Sequence, residues 1–123
     1  MSPPAFFIVS EEGYESRRIA SLLAAYSLST KYFNPLAEIP IYLWVALQQG
    51  GTPVIVDIDA EHIRAKQLVR RILQSSKKDN IIGISADAEK LTSLQGNHAL
   101  YTLRKPVSEP DLLRTVHTYL SKQ

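Results

Sequence analysis

Apolar residues follow two different spacings along the chain. Ala5-Phe6-Phe7-Ile8-Val9, Val54-Ile55-Val56 and Ile81-Ile82-Gly83-Ile84 are short runs without polar interruption, as strands are when a parallel sheet covers both their faces. Between them the interval lengthens to three and four residues. Ile19, Leu22, Leu23 and Tyr26 predict the buried face of a helix that begins at Tyr14. Ile63, Leu68, Val69, Ile72 and Leu73 predict another, ending near Gln74, and Leu112, Leu113, Val116 and Leu120 the last. Ser108-Glu109-Pro110-Asp111 supplies that helix with an N-cap, a proline in the first turn and acids at the positive end of its dipole.

The weaker elements fall between these. Ser29 to Phe33 carries Thr, Tyr and Phe and predicts a short edge strand ended by Asn34-Pro35. Pro40 is tolerated only in a first turn, so a helix is expected from near Ile39 to Gln49, with Trp44 in its core and one glycine of Gly50-Gly51 in a left-handed cap. The third strand is expected over Val54 to Ile58. Ala88 to Leu94 is weakly helical, and Asn97 to Leu103 contains a fifth strand ending at Arg104-Lys105-Pro106. Strand and helix alternate five times, which predicts an α/β fold. The expected form is three-layer and flavodoxin-like, (βα)5, with a parallel five-stranded sheet of order 2-1-3-4-5.

Composition narrows the function. The 123 residues suit a single domain spanning 1–123, and the net charge of +2 points to neither nucleic acid nor an anionic membrane. The absence of cysteine excludes disulfides, thiolate catalysis and zinc–thiolate sites. No apolar run approaches a membrane span, and the first strand is too short for a signal-peptide core, so a cytoplasmic location is expected. His62, His98 and His117 lack metal-ligand spacing. Gly13 stands alone, so there is no phosphate-binding glycine loop, and Ser10 lacks a nucleophile elbow.

In the expected strand order the carboxyl ends of strands one, three, four and five share a rim. They carry Ser10-Glu11-Glu12, Asp57-Ile58-Asp59, Ser85-Ala86 and Lys105-Pro106, and open α/β sheets bind ligands on this rim. Each residue alone also reads as an ordinary turn or cap residue. Together they offer carboxylates for a hard divalent cation, a carboxylate nucleophile for a phosphoryl group, and a lysine and a hydroxyl to neutralise its oxygens.

With these residues in view, the sequence resembles the receiver domain of two-component response regulators over essentially its whole length. Phe7-Ile8-Val9-Ser10-Glu11-Glu12 is similar to the family's strand and acidic pair, and Val54-Ile55-Val56-Asp57-Ile58-Asp59 to its phosphoacceptor strand. Ile84-Ser85-Ala86 and Leu103-Arg104-Lys105-Pro106-Val107 are similar to its hydroxyl-bearing and Lys-Pro strand ends. The resemblance implies Asp57 as phosphoacceptor, with Ser85 and Lys105 binding the phosphoryl group. It implies Mg2+ held by Glu11, Asp57 and the Asp59 backbone carbonyl, with Glu12 as a further candidate, and a cis Lys105-Pro106 bond. The family's first metal-side acid falls at Ser10, its second at Glu11, its loop Pro and Gly at Glu61 and Ala65, and its aromatic switch at Thr102, with Tyr101 one place early. The fourth-helix region is about two residues short.

The implied function is phosphorelay signalling, with no enzymatic activity beyond self-catalysed phosphotransfer and dephosphorylation at Asp57. The donor would be a histidine kinase or phosphotransfer protein. A downstream protein target would read the face of the fourth helix, fifth strand and fifth helix, and a homodimer is compatible with this. The alternative is a pseudo-receiver, a phosphorylation-independent interaction module in which Asp57 and Lys105 form a residual ion pair.

Overall fold

The uninterrupted apolar runs become the central strands. In the computed structural model, which describes residues 4–11, 13–99 and 101–122, the strands are β1 (Phe6–Val9), β2 (Thr30–Phe33), β3 (Val54–Asp57), β4 (Ile81–Ser85) and β5 (Tyr101–Arg104). The helices are α1 (Gly13–Ala24), α2 (Ile41–Gln49), α3 (Ile63–Ser75), α4 (Ala88–Leu94) and α5 (Glu109–Ser121), with a 3-10 turn at Lys78–Asn80. All strand pairs are parallel, in the order β2-β1-β3-β4-β5.

Strand residues alternate between two cores. Phe7, Val9, Val54 and Val56 pack with Leu43, Leu47, Val69, Ile72 and Leu94, so α2, α3 and α4 cover one face. Phe6, Ile8, Ile55, Ile82 and Ile84 pack with Ile19, Leu23, Leu112 and Val116, so α1 and α5 cover the other. Each fully buried Ile, Leu or Phe contributes about 1.5–3 kcal/mol relative to exposure, so the double burial of β1, β3 and β4 secures the frame. Gly83 lets α4 lie close to β4, since a Cβ there would stand 2.2 Å from Leu94 Cδ2.

Several boundaries and faces differ from expectation. Helix α2 begins at Ile41, with Pro40 as its extended N-cap residue, and Gly50 is the left-handed cap at φ 76°. Strand β3 stops at Asp57 rather than Ile58. Tyr26 lies past the end of α1, half-exposed, and its hydroxyl donates to Glu109 Oε1 at 2.8 Å. Ile63 and Leu120 are exposed at helix ends, and Tyr119 takes the buried place beside Phe6 and Tyr101. Trp44 is only partly buried, with the Arg71 guanidinium 5.3 Å over its ring. The shortened fourth-helix region yields a seven-residue α4. Among the described residues no helix is long and apolar enough to cross a membrane.

Candidate functional site

Register builds the rim. Val9 lies opposite Val56, Asp57 opposite Ile84, and Ser85 opposite Arg104. Ser10, Asp57, Ser85 and Lys105 therefore lie at or just past the carboxyl ends of four adjacent strands. The Lys105 N–H bonds to the Ser85 carbonyl at 2.8 Å, the Ile58 N–H to the Ile84 carbonyl at 3.0 Å, and the Lys105–Pro106 bond is cis.

Asp57 is 3% exposed. The Lys105 ammonium lies 3.0 Å from its Oδ1 and 2.9 Å from its Oδ2. The Asp59 N–H donates to Oδ1 at 2.9 Å, and the Ser10 hydroxyl makes a long contact of 3.4 Å to Oδ2. Both oxygens of the acceptor candidate are thus engaged, as a buried carboxylate requires.

The Asp59 side chain enters the same network, which its place in the sequence did not reveal. Its Oδ1 accepts from the Ser85 hydroxyl; its Oδ2 accepts from the Ala86 N–H at 2.7 Å and stands 3.1 Å from Lys105 Nζ. Lys90, half-exposed, approaches Oδ1 at 3.7 Å. Ser85, fully buried, also accepts from the Asp87 N–H at 2.9 Å, which ties the network to the start of α4. Burial pushes the Asp59 carboxyl up, but the Ser85 and Ala86 hydrogen bonds together with Lys105 outweigh it and hold the group below its ordinary value. Burial likewise pulls Lys105 down, and its bonds to Asp57 and Asp59 with their charges leave it raised.

Glu11 takes a different task. Its carboxylate accepts from the Glu61 N–H at 2.7 Å and the His62 N–H at 3.3 Å, just before α3. An acid at a helix N-terminus is favoured by the orphan N–H groups and the dipole. His62 is the N-cap of α3, its Nδ1 accepting from the Arg64 N–H at 3.1 Å. Tyr32 reaches over from edge strand β2, its hydroxyl donating to the Ser10 carbonyl at 2.7 Å. Thr102 is half-buried, with its hydroxyl on Gln95 Oε1 at 2.7 Å. Glu12 lies outside the described residues.

Glu11, Asp57, Asp59, Ala60, Glu61 and Lys105 line a cleft of about 420 Å3. Mg2+ demands near-octahedral oxygen ligation. Among the described residues no group of three His, Asp or Glu side chains is placed to hold a metal ion. Ser10 offers a neutral hydroxyl directed at Asp57, Glu11 is committed to the start of α3, and Lys105 occupies both Asp57 oxygens. Among the described residues this donor set, as arranged, does not fit Mg2+.

Sequence reasoning missed the Asp59 side chain, the Ala86 N–H and Glu15. Glu15 is buried in α1, pairs with Arg18 at 2.7 Å and accepts from the Val107 N–H at 3.0 Å. The signal for Asp59 is present, a carboxylate on the rim two residues past Asp57, but the resemblance assigns a role only to its backbone carbonyl.

No family model matches the chain, and no curated protein matches it. Solved structures do. A response regulator receiver protein from Burkholderia phymatum superposes with a TM-score of 0.68 at 22% identity, covering 97% of this chain and 96% of that one. The beryllofluoride-activated NtrC4 receiver domain dimer gives 0.67 at 14%, covering 95% and 96%. The response regulator PhyR from Brucella abortus gives 0.54 at 18%, covering 93% of this chain and 46% of that one. At these identities the likeness establishes the fold, which is that of response-regulator receivers.

Proposed function

We propose that this chain is a receiver-type signalling module that binds its protein partner without being phosphorylated. One observation carries the reading: the groups that would receive a phosphoryl group are already satisfied within the chain. Lys105 spans Asp57 and Asp59, and Ser85 and Ala86 donate to Asp59. The lost metal-side acid at Ser10 and the diversion of Glu11 support the same reading, because phosphoryl transfer needs cationic neutralisation of the transferred oxygens.

The partner is a protein that reads the surface of α4, β5 and α5. The network fixes that surface at its base, since Ser85 holds the Asp87 N–H at the start of α4 and Lys105 follows β5. A homodimer through this face is compatible with the reading, and the NtrC4 receiver structure is described as a dimer.

The second reading makes Asp57 a phosphoacceptor served by a histidine kinase or phosphotransfer protein. The open cleft bordered by Asp57 and Lys105 favours it. Incubation with phosphoramidate and Mg2+, followed by intact mass, separates the two. The first reading expects no phosphoryl adduct on the folded wild-type chain; an adduct lost in Asp57→Asn would establish the second.

A further inference from the structure

Three hydrogen-bond donors from two strand ends converge on one carboxylate that comes from a third. The Ser85 hydroxyl is fully buried at the end of β4, the Ala86 N–H follows it, and the Lys105 ammonium follows β5. Asp59, in the loop between β3 and α3, presents one oxygen to the hydroxyl and the other to the N–H and the ammonium. A hydroxyl, a backbone N–H and a cation facing one small region are the recognition chemistry of an oxyanion. Here the anion is the chain's own.

We infer that Ser85, Ala86 N–H and Lys105 form an oxyanion site that is filled in cis by the Asp59 carboxylate, which stands permanently where an external oxyanion would otherwise bind. The inference deepens the phosphorylation-independent reading and rests on it for the claim that this occupancy replaces phosphorylation. The site itself rests on the contacts alone. An intramolecular carboxylate competes at the high effective concentration of a tethered group, so free anions at ordinary concentrations are excluded. The same contact keeps Ser85 and Lys105 in a charge-satisfied arrangement with no phosphoryl group present. The low proton affinity of Asp59, set against its burial by those three donors, agrees with this.

Removing the side chain should empty the site while leaving the donors. In Asp59→Ala, titration with inorganic phosphate or with acetate, followed by the amide resonance of Ala86, is expected to give a saturable shift at least tenfold tighter than any in the wild-type chain. Ser85→Ala in the same background should weaken it again. The two probes distinguish a general oxyanion site, which takes both, from one selective for tetrahedral anions. Equal responses of the folded Asp59→Ala variant and the wild-type chain to both anions would overturn the inference. Asp59→Asn gives a second reading if Asp59→Ala does not fold: loss of the ionic acceptor should move the Ala86 amide proton upfield, and an unmoved resonance would count against occupancy. Phosphorylation of the wild-type chain in the mass experiment would refute the proposed function and leave the Asp59→Ala result to be judged by itself.

Discussion

Asp59 Oδ2 stands 3.1 Å from the Lys105 ammonium, nearly as close as the 2.9 Å between Lys105 and Asp57 Oδ2. One cation therefore serves two carboxylates, the second of which also takes the donors at the end of β4. Removing the lysine leaves the buried Asp57 carboxylate without its cation and Asp59 with only the half-exposed Lys90 at 3.7 Å. Lys105→Ala is expected to cost about 3–5 kcal/mol at neutral pH, as breaking buried ion pairs does. Urea denaturation of the two chains measures it, and a loss under about 1 kcal/mol would mean that solvent screens the network as it does a surface pair.

The same network sets a pH window. Lys105 is raised, so its contribution is complete below the ordinary lysine range and is lost as pH rises through its raised value. Asp59 is lowered, so its contribution is present above the ordinary carboxylate range and is lost as pH falls through its lowered value. The stability difference between the wild-type chain and Lys105→Met should form a plateau between about pH 5 and about pH 10 and shrink on either side. Denaturation midpoints across that range test it; a difference that stays constant well into acid would contradict it.

Glu15 joins α1 to the segment leading into α5. Its Oε1 accepts the Val107 N–H at 3.0 Å and pairs with Arg18 at 2.7 Å. Glu15→Ala strands a buried N–H, and the expected cost is about 1–3 kcal/mol. Glu15→Gln keeps an acceptor and should lose less. Thermal or urea unfolding of the pair measures the difference, and equal losses would show that charge rather than acceptance matters.

Gly83 is the close-approach point of β4 and α4. In Gly83→Ala the new methyl would meet Leu94, a buried side chain whose Cδ2 lies 2.2 Å from the Cβ position. Overpacking of this kind costs about 1–3 kcal/mol. Gly83→Ala combined with Leu94→Ala should recover part of that loss by making room. Urea midpoints of the single and double variants test the recovery, and purely additive losses would place the strain elsewhere.

The sheet was legible because β1, β3 and β4 are covered on both sides, which writes burial into the chain as uninterrupted apolar runs. Helical periodicity located Ile19, Leu23, Val69, Ile72, Leu112 and Val116 correctly. It failed at Tyr26, Ile63 and Leu120, which continue the stripe past the point where the sheet beneath still covers it. Rim membership of Asp57, Ser85 and Lys105 follows from strand ends alone. What Asp59 does there does not, because its side chain is directed by the course of the loop after β3, and loop course leaves no period in the sequence. Glu15 was hidden for a related reason: its partner at Val107 is 92 positions away. The isolated glycine inside the run Ile81-Ile82-Gly83-Ile84 carries a signal of close approach.

The central claim is that this receiver fold works with its anion site already occupied. Amide spectra of the wild-type chain with and without beryllofluoride and millimolar Mg2+ test it most directly. The resonances of Asp59, Ala86 and the α4–β5 surface are expected to stay in place. Saturable shifts at those positions that vanish in Asp57→Asn would contradict it.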